Sequence, residues 1–534
     1  MKTTLSQWFK ANQAIILNTG SLIGTWGVTS GLGFFYWWLA AQEFSPRVVG
    51  LGSAAISAMM LIGTFCLMGL GTLLITELPR QPEHVGSLIS TALIVVGVVG
   101  TCAGIVFALV APLISADLSS LSSNIGTILL FAFGVSLTSV TLVLDSALIG
   151  LLKGSTQLWR NGIFALVKLV ILFLASRLLA SIAGVQEITI YATWAIGNAV
   201  SLLPLAAIVI RQKKTPGRSY RPQWSLLRQM SSMALQHHLL NLILAAPMLI
   251  LPIMVTVMLS AEANAWFYVA WMLANVVYVV PGALTMVLHA VNAAQQATLR
   301  HRARTTLGLS FAISVLAVIV IVVGARQLLT FFGKSYATEA TWALQILTLG
   351  AFPMTIKSHY IAICRIKDRI VQALLIMIPG CILELVGAAV GAHMMGLVGL
   401  SLGWMAAMCF ESICMFPVIY TTIFAKQPFG QPAIDVDPIW LMDTALLPTV
   451  SSYYAGTGPI WSIKTTRPPT SKVSTSSKSK MVKKARLEPL QPDAQHFEFE
   501  HTSAIARWSE PGSVKRVYKN SAPLENDVLE NEVS

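Results

Sequence analysis

Twelve long apolar segments constrain this sequence more than any other feature. They run approximately over 15–41, 48–76, 85–114, 125–149, 158–180, 188–210, 230–259, 263–291, 306–332, 340–364, 370–393 and 398–425. A helix crosses the hydrocarbon core of a bilayer with about 20 apolar residues, so each segment is long enough to span. The runs are too long and too evenly apolar for the alternating strands, about ten residues each, of a membrane barrel. The pattern therefore predicts an all-α polytopic membrane protein with about 12 transmembrane helices.

Composition agrees with this reading. Only 11% of the 534 residues are charged and 55% are hydrophobic, whereas a soluble chain carries about 25% charged residues. A soluble enzyme, a disordered chain and a nucleic-acid-binding domain are excluded on these grounds. The net charge of +13 does not restore nucleic acid as a partner. Residues 1–426 hold 24 Lys+Arg and 11 Asp+Glu, and residues 427–534 hold 12 of each, so the excess belongs to the apolar part.

A basic excess in short loops is first an orientation signal, because cytoplasmic loops are enriched in Lys and Arg. With the N-terminus inside, the inner loops and helix ends carry 17 Lys and Arg against four outside, Arg47, Arg177, Arg326 and Lys334. Both termini are thus expected in the cytoplasm. Aromatic residues at Phe34–Trp38 and Trp266–Tyr268 mark one common outer level, as amphipathic rings favour the headgroup zone. Met1–Gln13 has no small-residue cleavage site, so the first apolar run reads as a retained span.

The longest loop among the spans divides the chain into a six-helix lobe at 1–212, a basic cytoplasmic linker at 213–229 and a second six-helix lobe at 230–426, followed by a disordered polar tail at 427–534. A weak repeat supports the halving: Phe44-Ser45-Pro46 precedes Leu259-Ser260-Ala261 by 215 residues, and each half opens on a span with an Asn, Asn18 and Asn241. Parallel repeats of this kind build transporter sites between lobes. The tail contains a Lys-rich stretch, Lys472 to Arg486, which reads either as a plain tether or as a lipid-binding or phosphorylatable segment.

No catalytic residue is expected. Gly333-Lys334-Ser335 lacks the first glycine of a phosphate-binding loop, since Leu328 stands there. The outer loops are too short for a catalytic domain. The six cysteines show no ligand spacing, so neither a disulfide framework, a metal nor a cofactor is expected.

Charges inside spans are costly in lipid unless they face a cavity or a partner. Five occur: Asp145, Lys168, Lys357, Glu384 and Glu411. Asp145 lies near Arg160 in depth and is a candidate either for a structural ion pair with it or for ion coupling. Lys168 is about ten residues into its span, too deep to reach the surface, and is expected to face a cavity. Glu384 and Glu411 lie just outward of the midplane, with Lys357 roughly 9 Å below them at 1.5 Å per residue. These three form either a structural triad or a substrate or coupling-ion site. His237 and His238, near the inner end of their span, suit proton transfer, head-group contact or polar packing.

Gly20, Gly24, Gly27 and Gly31 share one face of the first span. That face serves either close helix packing or a smooth wall toward a bulky substrate. Prolines crowd the second half, at Pro247, Pro252, Pro281, Pro353, Pro379 and Pro417. They suggest that this lobe bends.

Asn18-Thr19-Gly20-Ser21-Leu22-Ile23-Gly24, the segment Gly33 to Ala41 and the following Val49-Gly50-Leu51-Gly52 together resemble the start of bacterial oligosaccharidyl-lipid and polysaccharide flippases of the O-antigen type. These belong to the multidrug/oligosaccharidyl-lipid/polysaccharide exporter superfamily. Phe331-Phe332-Gly333-Lys334-Ser335-Tyr336 is similar to that family's Phe-Gly-x-x-Tyr between spans nine and ten. The resemblance covers residues 1 to about 425. It implies two six-helix lobes around a central cavity, alternating access, and flipping of an undecaprenyl-pyrophosphate-linked oligosaccharide from the cytoplasmic to the outer leaflet of the bacterial inner membrane.

The expected partners are then the lipid-linked glycan, membrane lipids, and a polysaccharide polymerase and glycosyltransferases. Lys168 and Lys357, one per lobe, would meet the anionic head group, with Asn18, His237 and His238 as contacts on the cytoplasmic side. Two alternatives stand beside this: a cation-coupled multidrug exporter of the same fold, and a non-transporting scaffold or receptor.

Overall fold

A computed structural model describes residues 21–424 apart from 22–23, 26, 179–184, 214–219, 223, 225–231 and 293–298. All of these belong to one unit, Met1–Lys464; the second unit, Thr465–Ser534, and the rest of the tail lie outside the described residues. The first lobe comprises α1 (27–43), α2 (Pro46–Cys66), α3 (Leu70–Glu77), α4 (Val85–Ile114), a 3-10 turn (Ala116–Ser122), α5 (Ile125–Gly150), α6 (Gly154–Leu178) and α7 (Val185–Lys213). The second comprises α8 (Ser232–Met258), α9 (Ala261–Asn292), α10 (Leu299–Thr330), α11 (Lys334–Glu339), α12 (Thr341–Leu349), α13 (Ala351–Ile366) and α14 (Ile370–Phe424).

Nine helices among the described residues are long and apolar enough to cross a membrane. The expected twelve segments are recovered once three local features are included. The first apolar run appears only through α1, because residues 1–20 lie outside the described set. The tenth is divided into α12 and α13 around Gly350, just before Pro353, which has no N–H for the preceding turn. The last two are the arms of α14, which reverses direction at Met395 and Gly396; Gly396 has φ of 58°, where the absence of a Cβ lets the chain turn.

The second predicted span is also broken. Met68 and Gly69 take positive φ and separate α2 from α3.

The arms of α14 approach so closely that glycines are required on both sides. A Cβ at Gly387 would press on the Gly403 carbonyl, and one at Gly391 would overlap the Gly399 carbonyl. This small-residue seam lets two backbones meet without a side chain between them.

The repeat noticed in the sequence has a structural counterpart. Ser45 caps α2 by accepting from the Val48 N–H at 3.5 Å, and Ser260 accepts from the Ala263 N–H at 2.9 Å. Both satisfy an orphan donor of a first helical turn.

The two lobes meet along α2 and α8, with Gly69 beside Ala234 at one end, and approach most closely at the end of the bundle that carries these two turns, here termed the upper end. Gly50 lies against the backbone of Ala261 and Ala265, and Asn264 Nδ2 donates to Gly50 O at 2.8 Å and Ser53 Oγ at 3.0 Å. Trp37 packs on Tyr268 with centroids 4.5 Å apart, and Phe34 meets Phe332 edge-on at 5.3 Å. Gln42 Nε2 donates to Phe331 O at 2.9 Å. Asp117 joins the lobes through charge, 2.8 Å from Arg47 and accepting from the first N–H of α9, Ala261, at 3.0 Å. A carboxylate there also meets the positive end of the helix dipole.

Candidate functional site

Below this seal lies a cavity of about 460 Å³. It is walled by α1, α2, α5, α6 and α7 from the first lobe and by α8 and α9 from the second. Gly27 and Gly31 have nothing within 4 Å of a Cβ position, and Val276 on α9 is exposed. The glycine face of α1 thus borders open space where described, Gly24 alone touching Leu158 at 3.8 Å, and Gly33 lines the cavity. Gly20 lies outside the described residues.

Lys168 stands in the cavity wall, and its surroundings follow from local sequence. Gly197 on α7 leaves room for the Lys168 Cβ, 3.1 Å from where its own Cβ would be, so α6 and α7 come close. This brings Trp194 over the ammonium at 4.1 Å from the ring centroid, with Phe164 at 4.7 Å and Tyr36 at 4.8 Å. Tyr36 is held in place by donating to Ile190 O at 2.9 Å, with Thr193 Oγ1 at 2.7 Å. The negative faces of three rings partly replace the water such a cation loses. No carboxylate lies within ion-pairing distance of Lys168 among the described residues.

Two turns nearer the lower end, Asp145 and Arg160 form a forked pair, with Nε to Oδ1 at 3.0 Å and Nη2 to Oδ2 at 2.6 Å. Asn161 braces it, accepting from Arg160 Nη2 at 2.8 Å and donating to Asp145 Oδ2 at 3.3 Å. Both charged groups line the cavity, together with Asn161 and Asn198. The bidentate geometry is the strong form of this interaction.

Lys357, Glu384 and Glu411 lie together, away from the cavity lining, between α13 and the two arms of α14. The Lys357 ammonium bonds Glu384 Oε1 and sits 3.0 Å from Glu411 Oε2. Trp404 Nε1 donates to Glu384 Oε2 at 2.7 Å. Gly380 leaves space for the Glu411 carboxylate, which a Cβ would overlap. Lys168 and Lys357 are therefore not brought to one surface.

His237 and His238 are buried in the first turns of α8, at the lower end. His238 hydrogen-bonds the Phe65 backbone, beside the break between α2 and α3, and so touches the other lobe. Asn241, one turn on, accepts from Arg365 Nη2 at 2.6 Å. Asn18 lies outside the described residues.

Several residues of this region carried no flag in the sequence. Trp194 and Trp404 sit in mid-span, away from the headgroup level where tryptophan is common, and that placement was the available signal. Asp117 offered none, because its partners come from a distant part of the chain.

No family model matches the chain, and no curated protein sequence matches it. Solved structures do. An inward-facing multidrug resistance MATE family transporter of the MOP superfamily superposes with a TM-score of 0.59 at 15% identity, covering 75% of this chain and 98% of that one. The fold is that of the MATE transporters. An outward-facing member gives a TM-score of 0.50 at 15% identity, covering 77% of this chain and 96% of that one. A MATE in the bent conformation gives 0.50 at 14% identity, with 77% and 95% covered. The MATE-type fold accounts for the two lobes and the cleft between them.

Proposed function

We propose that the chain is a multi-pass membrane transporter working by alternating access, and that its cargo is an anionic amphiphile. The reading rests on one observation. Among the described residues lining the cavity, the ammonium of Lys168 is the charge without a counter-charge, while the carboxylate of Asp145 is neutralised by Arg160. A buried cation without a partner is costly, and an anionic head group entering the cleft would remove that cost. The aromatic walls, Trp37, Trp194 and Trp271 among them, offer faces on which the C–H surfaces of sugars stack.

The finer form of the proposal is an undecaprenyl-pyrophosphate-linked oligosaccharide, flipped from the cytoplasmic to the outer leaflet of a bacterial inner membrane. In this orientation the lower end faces the cytoplasm, both termini lie there, and the cleft takes its cargo from that side. The polyprenyl chain would stay in lipid while the head group crosses between the lobes. Lys168 would meet the pyrophosphate. Polymerase and glycosyltransferase partners would act before and after this step.

The same walls favour a second reading, a multidrug exporter, because aromatic and apolar side chains also accept lipophilic drugs. The neighbours in structure are multidrug transporters. Proteoliposomes separate the two. Scrambling of a fluorescent lipid-linked oligosaccharide that falls at least tenfold in Lys168→Ala, and partly returns in Lys168→Arg, supports the glycan reading. Efflux of a cationic dye without any lipid scrambling would replace it by the exporter.

A further inference from the structure

Lys357, Glu384 and Glu411 do not balance in charge. One ammonium faces two carboxylates, and the three residues are 6%, 2% and 3% exposed. The two carboxylates are not equally served. Both oxygens of Glu384 accept hydrogen bonds, from Lys357 Nζ and from Trp404 Nε1. Glu411 meets the ammonium through Oε2 as a charge contact, and its Oε1 has no hydrogen-bond partner among the described residues. A full negative charge left over in such a place costs several kcal/mol even after relaxation.

The neighbouring elements bring no second cation. From α13 comes Lys357; His359 on the same helix is turned away, its Nδ1 2.8 Å from Thr355 O and its Nε2 3.3 Å from Thr306 Oγ1 on α10. From α9 comes Tyr278, bonded to Leu347 O. The arm of α14 facing Glu411 adds Glu384 and the Cys381 thiol, which feels all three charges. Between His238 and Met258, α8 has no titratable side chain, and α12 has none at all. The charges of α10 lie in its end turns.

We propose that this triad is a binding site for one proton, held on Glu411. The bound form has one ammonium, one carboxylate and one carboxylic acid, and is neutral. A metal ion is the poorer occupant, because the ammonium already stands between the two carboxylates, and no group of three or more His, Cys, Asp or Glu suited to a metal occurs among the described residues. Proton uptake converts the Glu411 carboxylate to the acid and weakens its hold on Lys357, leaving the ammonium to Glu384. The site joins α13 to both arms of α14, so occupancy alters how three helices of the second lobe are held.

Infrared spectroscopy of the full chain in nanodiscs tests this without any cargo, so the result stands apart from the transport reading. The wild type at neutral pH is expected to show the carbonyl stretch of a buried carboxylic acid, and Glu411→Gln, whose amide mimics the acid, is expected to lose it while remaining monodisperse. Lys357→Met, which leaves the remaining buried carboxylate without its cation, should strengthen the band, because such a carboxylate also takes up a proton. A wild type without the band, or a band unchanged in Glu411→Gln, overturns the proposal.

Discussion

At the scale of single residues, the buried charges divide into compensated and uncompensated groups, and this difference predicts how each responds to substitution. Asp145→Asn leaves the Arg160 guanidinium buried without its carboxylate, and Arg160 Nη1 already lacks a partner among the described residues. Removal of one member of a buried pair costs about 3–5 kcal/mol. Asp145→Asn is therefore expected to lower the melting temperature in detergent clearly, and the double change Asp145→Leu, Arg160→Met should recover most of the loss. Lys168 was legible in the sequence because a lone charge ten residues into an apolar run has nowhere else to go. Of its aromatic neighbours only Phe164, one turn earlier on the same helix, was within reach of the sequence, since Tyr36 and Trp194 come from α1 and α7 and are brought in by the Tyr36 bond to Ile190 O and by the α6–α7 approach at Gly197.

At the scale of elements, segment length and hydropathy placed the helices well, but their interruptions depend on local backbone freedom. Met68–Gly69 and Met395–Gly396 turn where φ becomes positive, and hydropathy is blind to that. Glycine patterns were equally ambiguous. The first-span glycines, in steps of 4, 3 and 4, and the pairs Gly387, Gly391 and Gly399, Gly403 on α14 look alike in sequence. A small face indicates close packing only when another backbone comes to it, and that happens at α14. The two sets should respond in opposite directions. Gly391→Ala forces the arms apart and is expected to cost about 1–3 kcal/mol, whereas Gly27→Ala meets nothing and should gain roughly 0.5–1 kcal/mol of helix stability. Parallel thermal melts of the two variants check the sign.

At the scale of the whole molecule, the proposed alternating access makes the closed upper end, with the cavity below it, one of two states. The contact of Asp117 with the first turn of α9 crosses between the lobes and is made only while the upper end is closed. Loss of that helix cap, worth about 1 kcal/mol, would move the ratio of the two states by about fivefold. Asp117→Ala should therefore make a cysteine introduced at Ser57, in the cavity wall, more reactive to an impermeant thiol reagent applied from the upper side. An unchanged labelling rate would show that the aromatic contacts alone hold the seal. The shared topology of the halves was partly readable from the 215-residue repeat, but the side of the cleft that is closed was not, because it depends on pairings between residues more than 140 positions apart.

The glycine seam of α14 has one more consequence. Between Gly387 and Gly403 the two arms are in backbone contact, with no intervening side chains whose rotamers could absorb a sliding motion, so this part of the hairpin behaves as a single plate. Spin labels at Val386 and Ala406, on opposite arms, would keep a constant separation through the proposed change between states. The hairpin thus supplies an internal ruler against which movements elsewhere in the protein can be measured.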